Sequence, residues 1–389
     1  MNKNTDVVIA GIGQVPVGEH WDTSLRSLAT RAIRLALADS GGLTPGALYV
    51  GNMLAPDLSR QAHLGVLLAD YAGLKGIEAA TVEAGEASGG AALRQGYLAV
   101  ASGLVEAALV VGVEKITDVV GPDVEAALAT LLDSDYEAVQ GLTPTAQAAL
   151  LTRRYLHENH APHAALAAFP LTAHANAVSN PNAMYRKAVS LETYQKAEAV
   201  CDPLNLYDIA PLADGAAAVL LTRRELLPAG FPHPVVVIAS STIASDTLSP
   251  TARPDPLWFA AAQLSVEQAL AKAGLTLQQV DLFEYHDTTS LHAALSLEAA
   301  GFAGHGLGWE LASGGAIALT GQIPCATLGG SKARGNPGGA TGLYQAVEAT
   351  LQLRGAAGTN QITGASHALI QSLGGLASVA VTHILAREE

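Results

Sequence analysis

Three short segments of this chain carry polar side chains able to hold or move a proton, two of them among glycines that allow sharp backbone turns. The first is Val82-Glu83-Ala84-Gly85-Glu86-Ala87-Ser88-Gly89-Gly90-Ala91-Ala92-Leu93, which reads as a strand end, a tight turn and a helix start. A helix N-terminus presents free N–H groups and a partial positive charge, which favour an ionised carboxylate at Glu86. Burial would push its pKa upward instead. Two roles stay open for Glu86: a cap on its own helix, or a group that transfers a proton.

The second segment is Phe283-Glu284-Tyr285-His286-Asp287-Thr288-Thr289-Ser290. It places His286 at the C-terminal end of a hydrophobic strand, where α/β folds bind ligands. There an imidazole N–H can stabilise a developing oxyanion, although a satisfied core histidine would read the same way. The third segment is Gly321 to Gly342, a glycine-rich run that includes Gly335-Asn336-Pro337-Gly338-Gly339. Its glycines permit close backbone approach to a ligand and a turn into the next helix. Asn336 can hydrogen-bond but cannot accept a proton at neutral pH.

The elements that must position these segments alternate. Strands are expected near 6–11, 47–54, 79–84, 107–113, 235–241, 280–286 and 376–385, and helices near 23–39, 60–72, after Glu86, 257–273, 289–300 and up to about 353. This order predicts an α/β fold of mostly parallel sheets covered by helices. Leu25, Leu28, Ala29, Ala32 and Leu35 give the first helix an apolar stripe. Asp22 or Thr23 is its expected cap, and Gly41-Gly42 its stop. Residues 115–200 interrupt the rhythm with Pro144, Pro162, Pro170 and Pro181 and the irregularly spaced His157, His160, His163 and His174. They read as an inserted region of loops and helices, not a metal site. The order after residue 231 echoes the order before 230, which suggests an internal duplication with halves 1–230 and 231–389.

Composition narrows the function. With 49% hydrophobic and 14% charged residues over 389 positions, the chain can bury a large core. A formal net charge of −14 argues against a nucleic-acid or membrane-surface binder. An anionic ligand would need a local patch from Lys115, Arg153-Arg154, Arg186-Lys187 or Lys332 with Arg334, each of which is equally read as scattered charge. Two cysteines, Cys201 and Cys325, make neither a disulfide framework nor a metal-ligand spacing. No apolar run reaches membrane-span length and no signal segment precedes the first strand, so a cytoplasmic location is expected.

Together the three segments resemble the thiolase superfamily, in its sterol-carrier-protein-type and archaeal–bacterial acetyl-CoA acetyltransferase-like branch. Further similar stretches are His174-Ala175-Asn176-Ala177, Asn180-Pro181-Asn182-Ala183, Asp202-Pro203-Leu204, Asp214-Gly215-Ala216-Ala217-Ala218 and Leu373-Gly374-Gly375, so the likeness runs from about residue 6 to 385. The resemblance implies two duplicated βαβαβαββ halves in a layered α-β-α-β-α core. It also implies a coenzyme A thioester as substrate, no permanently bound cofactor, a homodimer or tetramer, and a possible small OB-fold protein partner. The family's nucleophilic cysteine falls at Glu86, its basic histidine at Asn336, and its Asn and Ser at Ala326 and Leu328. His286 and Asp287 match the family's His-Asp-x-Phe motif, with Thr289 at the Phe.

A carboxylate cannot form the thioester intermediate of ordinary acyl transfer. The resemblance therefore points to chemistry on acyl-CoA without a covalent cysteine, of decarboxylase or retro-aldolase type. Glu86 would move a proton, Asn336 would orient substrate or water, and His286 with a backbone N–H at Gly375 would hold the enolate oxygen. Tyr285 and Tyr344 are reserve proton donors, each read first as a packing residue. The alternatives are a non-catalytic subunit of a hetero-oligomer and an ordinary acetyl-CoA acyltransferase.

Overall fold

The computed structural model describes residues 6–388. Strand β1 (Val7–Gln14) leads through α1 (Leu25–Asp39) to β2 (Ala47–Gly51). Helices α2 (Ala55–Leu58) and α3 (Leu64–Tyr71) follow, then β3 (Glu78–Val82), α4 (Ser88–Ala101) and β4 (Ala107–Glu114). The interruption at 115–200 holds α5 (Pro122–Ala129), α6 (Pro144–Glu158), α7 (Ala168–Ala177) and α8 (Leu191–Gln195). A small hairpin, β5 (Ala199–Cys201) and β6 (Leu204–Asn205), returns the chain to β7 (Gly215–Arg223). The remainder runs β8 (Val236–Ser245), α9 (Ala260–Ala273), β9 (Leu282–Glu284), α10 (Ser290–Ala299), α11 (Gly308–Ser313), α12 (Thr341–Arg354), β10 (His367–Gly374) and β11 (Val379–Arg387).

The strand order is β3-β2-β4-β7-β1-β8-β11-β10-β9, and the two ends repeat each other. In the first part β2 is parallel to β3 and β4, and β7 is antiparallel to β4 and β1. In the second, β9 is parallel to β10, and β11 is antiparallel to β10 and β8. Cys325 forms a parallel bridge to Phe283 in the place that β3 takes beside β2. The two parts touch edge to edge at a single pairing, Val8 with Val237.

Alternating strand residues face different layers, as the two-residue period of a strand dictates. Val111 and Leu220 pack under α1 and α3 with Leu28, Ile33, Leu64 and Leu68. Val110, Val219, Ile370 and Leu385 enclose α4 and α12 through Leu93, Val100, Leu343 and Val347. Leu369 and Ile384 face α9 and α10 through Val266, Leu291 and Leu295. The result is five layers, α-β-α-β-α. The two central helices cross at glycine: a Cβ on Gly342 would lie 2.4 Å from the Gly90 nitrogen. This crossing holds the N-termini of α4 and α12 side by side.

Several expectations need correction. The sheets are mixed, not mostly parallel, because β7 and β11 return antiparallel beside their neighbours. Strands β7 and β10 have no counterpart in the sequence reading. Both are buried on two faces, so they show no alternation to detect. Ser24, not Asp22 or Thr23, caps α1 by accepting from the Ser27 N–H. Leu35 is half exposed, and the buried stripe continues through Ile33 and Ala36 instead. His157 and His160 are exposed while His174 is buried, and no metal-binding group occurs among the described residues. The side chain of His163 lies outside the described residues.

Candidate active site

Glu86, His286, Asn336 and Gly375 come from four distant stretches and gather at one place: Glu86, Asn336 and Gly375 line a cavity, while His286, expected to hold an enolate oxygen, is fully buried behind Glu86 and does not line it. Each follows a strand end or precedes a helix: Glu86 lies between β3 and α4, His286 after β9, Asn336 just before α12, and Gly375 after β10. One extended strap, residues 208–213, ties two of these loops together. The Ala210 N–H donates to the Thr288 carbonyl (2.8 Å), and the Asn336 N–H donates to the Pro211 carbonyl (2.9 Å).

The Glu86 side chain does not cap α4. Ala87 is the N-cap, and no side chain bonds the first turn from there. Ser88 closes the turn instead, accepting from the Ala84 N–H and donating to the Gly85 carbonyl. Glu86 is thereby free to reach inward. One carboxylate oxygen lies 3.4 Å from His286 Nε2 and the other 3.4 Å from Asn336 Nδ2. The side chain is 13% exposed, so it faces the cavity while losing most of its water. Burial pushes its pKa up. The hydrogen bond from His286, the fields of His286 and His292, and the Asn336 amide outweigh that and hold it below the ordinary carboxylate value.

The orientation of each partner follows from its other bonds. Asn336 Oδ1 accepts from the Gly338 N–H (3.2 Å) and the Thr341 hydroxyl (3.1 Å), which leaves Nδ2 as the donor toward Glu86. An ionised Glu86 only accepts, so His286 carries its proton on Nε2, with the Thr288 hydroxyl 3.1 Å away. His286 Nδ1 is buried without a partner among the described residues.

A second histidine belongs to the site. His292, in the first turn of α10, lines the cavity with Glu86 and Asn336. Its Nε2 lies 3.2 Å from the Gly375 carbonyl, which only accepts, so Nε2 bears the proton. Nδ1 then accepts from the Thr289 hydroxyl at 2.8 Å. Burial, with the field of His286, lowers its pKa to about 4, so it is neutral at pH 7. The sequence reading passed over His292. The available signal was a histidine three residues after Thr289, the N-cap of the helix that opens at the His-Asp segment.

The cavity measures about 180 Å³ and is walled by Leu128, Leu131, Leu132, Ile209, Leu212 and Leu376. Gly375 lines it, and its N–H has no acceptor among the described hydrogen bonds. Across the strap a larger cavity of about 620 Å³ is lined by His174, Tyr185, Tyr207, Lys187 and Lys332 and shares Ile209 and Leu212 with the first. Lys332 is buried there with its ammonium 2.7 Å from the Asp208 carbonyl, and burial lowers its pKa to about 8.

Other singled-out residues are structural. Asp287 accepts from the Ser331 N–H (2.7 Å) and shapes the glycine-rich loop. Lys115 pairs with buried Asp214, and Arg334 with buried Glu348. The Tyr344 hydroxyl donates to the Val15 carbonyl, and neither Tyr285 nor Tyr344 lines the cavity. Leu328 does not fill it. Cys325 is fully buried, its thiol pushed well up by burial, and neither cysteine lines the cavity.

Gly330 shows how tightly the loop is made. Its φ is +53°, and a Cβ there would lie 2.4 Å from an Asp287 carboxylate oxygen. Gly330→Ala is expected to cost at least about 2 kcal/mol through left-handed strain and overlap. A urea unfolding midpoint unchanged from wild type would show that the loop gives way freely.

This layered fold, with the site at the N-termini of its two central helices, is that of the thiolases. The chain belongs to the thiolase family: the thiolase N-terminal domain matches residues 7–225, and the thiolase C-terminal domain-like model matches 242–387. It is similar to an acetyl-CoA acetyltransferase of Methanothermobacter thermautotrophicus, 40% identical over 98% of this chain and 100% of that one. A 17-hydroxy-3-oxo-4-pregnene-20-carboxyl-CoA lyase of Mycobacterium tuberculosis is 28% identical over 93% of this chain and 95% of the relative. Among solved structures, an Ltp2-ChsH2(DUF35) aldolase superposes with a TM-score of 0.83 at 24% identity, covering 99% and 98% of the two chains.

Proposed function

We propose that this protein cleaves or forms a C–C bond in a 3-hydroxyacyl-CoA thioester by retro-aldol chemistry, with Glu86 as the base and no acyl-enzyme. The observation that carries this reading is the Glu86 carboxylate, held ionised at the wall of a small cavity by His286 and Asn336. An ionised carboxylate there repels the carboxylate of a decarboxylation substrate, yet it is well suited to take the proton of a neutral hydroxyl.

The steps balance without a cofactor. Glu86 removes the 3-hydroxyl proton, and the C2–C3 bond breaks as C3 becomes a carbonyl carbon. The electron pair enters the thioester as an enolate, whose oxygen receives a hydrogen bond from the Gly375 N–H, while His286 keeps its Nε2–H on Glu86. The proton held by Glu86 then passes to C2, giving the shortened acyl-CoA and an aldehyde or ketone. Asn336 keeps the carboxylate aimed. The second cavity, with Lys187, Lys332 and three aromatic rings, offers cations and flat surfaces to the coenzyme A arm.

The relatives include both an acetyltransferase and a lyase, so relatedness alone does not choose between them. Ordinary acyl transfer needs a nucleophile that forms a thioester, and no thiol lines this cavity. Glu86, Asn336 and His292 are each oriented by hydrogen bonds at the cavity wall, which favours an enzyme over a subunit that only fills a place in an assembly. Within the same reading we place the protein in the cytoplasm; no described helix is long and apolar enough to cross a membrane. We also assign it a homodimeric or tetrameric state, supported by the outer edge of β3, which pairs only with β2. A small OB-fold partner remains part of the proposal.

The test is a panel of 3-hydroxyacyl-CoA thioesters with secondary and tertiary alcohols, followed by chromatography of the coenzyme A products and trapping of released carbonyl compounds. Release of equal amounts of shortened acyl-CoA and carbonyl compound is the expected result. Activity confined to acetoacetyl-CoA plus coenzyme A would overturn the retro-aldol reading.

A further inference from the structure

We infer that Arg253, outside the cavity, is a positioning residue that aims the Gly375 N–H at the substrate's thioester oxygen. The inference rests on the proposed use of that N–H as an oxyanion donor, and it concerns what makes the donor rigid.

The turn that follows β10 runs from Gly374 to Ser378 and is locally strained. Gly375 has φ +54°, and Ala377, which carries a Cβ, has φ +58°. A non-glycine residue in the left-handed region costs roughly 1–2 kcal/mol, and such strain persists only where surrounding bonds over-determine the backbone. Two bonds do so on successive carbonyls. His292 Nε2–H donates to the Gly375 carbonyl, and Arg253 Nη1 donates to the Leu376 carbonyl at 2.7 Å. With both carbonyls drawn onto buried donors, the Gly375 N–H is left at the cavity wall beside the Glu86 turn. A Cβ built on Gly85 lies 3.7 Å from that nitrogen.

Arg253 is built to hold this position. It is 6% exposed, and its Nε and Nη2 both donate to the Thr247 carbonyl, at 3.0 and 2.9 Å. Asp246 lies 3.5 Å from Nε and also donates its N–H to the Ser378 carbonyl at 2.8 Å, closing the far end of the same turn. Buried Glu137 adds a second negative field. Glu137 also accepts from Gln147, a cavity-lining residue of α6, and from Ser249. One buried guanidinium thus fixes the turn from behind, and the wall of the cavity is bonded to the same network. Arg253 itself does not line the cavity; its direct hydrogen bond is to the turn, and it reaches the wall at Gln147 only through the field of Glu137.

The experiment compares calorimetric binding of acetyl-CoA and S-ethyl-CoA, which differ by the carbonyl oxygen alone, to wild type, Arg253→Lys and Arg253→Met. It needs no turnover. Wild type is expected to prefer acetyl-CoA by about fivefold, the worth of one net hydrogen bond. In Arg253→Met the preference should fall toward unity while S-ethyl-CoA binds within about twofold of wild type. Arg253→Lys, which keeps the charge but lacks the planar fork that bridges the Thr247 and Leu376 carbonyls, should lie between and carries the test if the Met variant does not fold. An unchanged preference in folded variants would overturn the inference, as would equal loss of both ligands. If wild type binds neither ligand, the coenzyme A reading fails first, and the role of Gly375 falls with it.

Discussion

Glu86→Gln is expected to bind coenzyme A thioesters within a few-fold of wild type and to turn over a 3-hydroxyacyl-CoA roughly 10²–10⁴-fold more slowly, the usual worth of a positioned general base. Glutamine matches the size of Glu86 and can still meet Asn336 and His286, so the cavity keeps its shape. It cannot accept the hydroxyl proton. The loss should therefore fall on kcat, with KM little changed. Because the Glu86 pKa is held below the ordinary carboxylate value, the base limb of wild-type activity should lie on the acid side of that value. Glu86→Gln should remove that limb from the pH profile. A variant with wild-type kcat would show that Glu86 takes no proton in the rate-limiting step. One that loses binding and turnover together would make Glu86 a binding group instead.

Arg334→Met is expected to be the most destabilising single change near the site, by about 3–5 kcal/mol at pH 8. Arg334 is buried, bonded to Glu348 at 2.6 Å and stacked over the Tyr344 ring at 5.1 Å. Glu284 is buried nearby. Burial, then the field of Glu348, pushes its pKa up to about 8, against bonds from Thr327 and the field of Arg334. Burial raises Glu348 as well, while Arg334 lowers it. Methionine fills much of the space and leaves two carboxyl groups without a cation.

The pH dependence has a definite sign. A carboxyl group whose folded pKa lies above its unfolded value of about 4.3 binds more protons in the folded state. Its favourable contribution is complete below the unfolded pKa and is lost as pH rises through the folded pKa. Removing Arg334 raises both folded values further. The cost of the substitution should therefore shrink between pH 8 and pH 5, where both groups are protonated in the variant. Buried His292 and His383, both lowered to about 4 by burial first of all, oppose acid conditions. They are common to both proteins and cancel in the difference. Urea unfolding at the two pH values gives the answer. An equal cost at both would show that packing, not charge, is what Arg334 supplies.

The alternation of strands and helices was legible because helical stripes and strand–turn–helix punctuation are local signals, whereas the five-layer arrangement came from the family resemblance. The segments bearing Glu86 and Asn336 could be found because each combines glycine-permitted turns with an unusual polar side chain, and the His286 segment because polar residues end a hydrophobic strand. Long-range geometry hid the rest. Strands β7 and β10 carry no alternation because both faces are buried. His292 sits on a helix that is buried on every side, so its apolar neighbours mark it as core. The cap role for Glu86 could be dismissed only once Ser88 was seen to close the turn. Lys115 and Arg334 read as candidate anion sites in the sequence, yet their partners Asp214 and Glu348 lie 99 and 14 residues away. Arg253 gives no local sign of its role at all, because Leu376 lies 123 residues further along the chain.

The most direct measurement is intact-protein mass spectrometry of enzyme quenched during turnover of a cleavable 3-hydroxyacyl-CoA, with product release followed in parallel. Base catalysis by Glu86 predicts product formation with a protein mass that stays unmodified at every time point. An acyl adduct that forms and decays at the turnover rate would contradict it, and its location on Glu86, Cys201 or Cys325 would name the nucleophile.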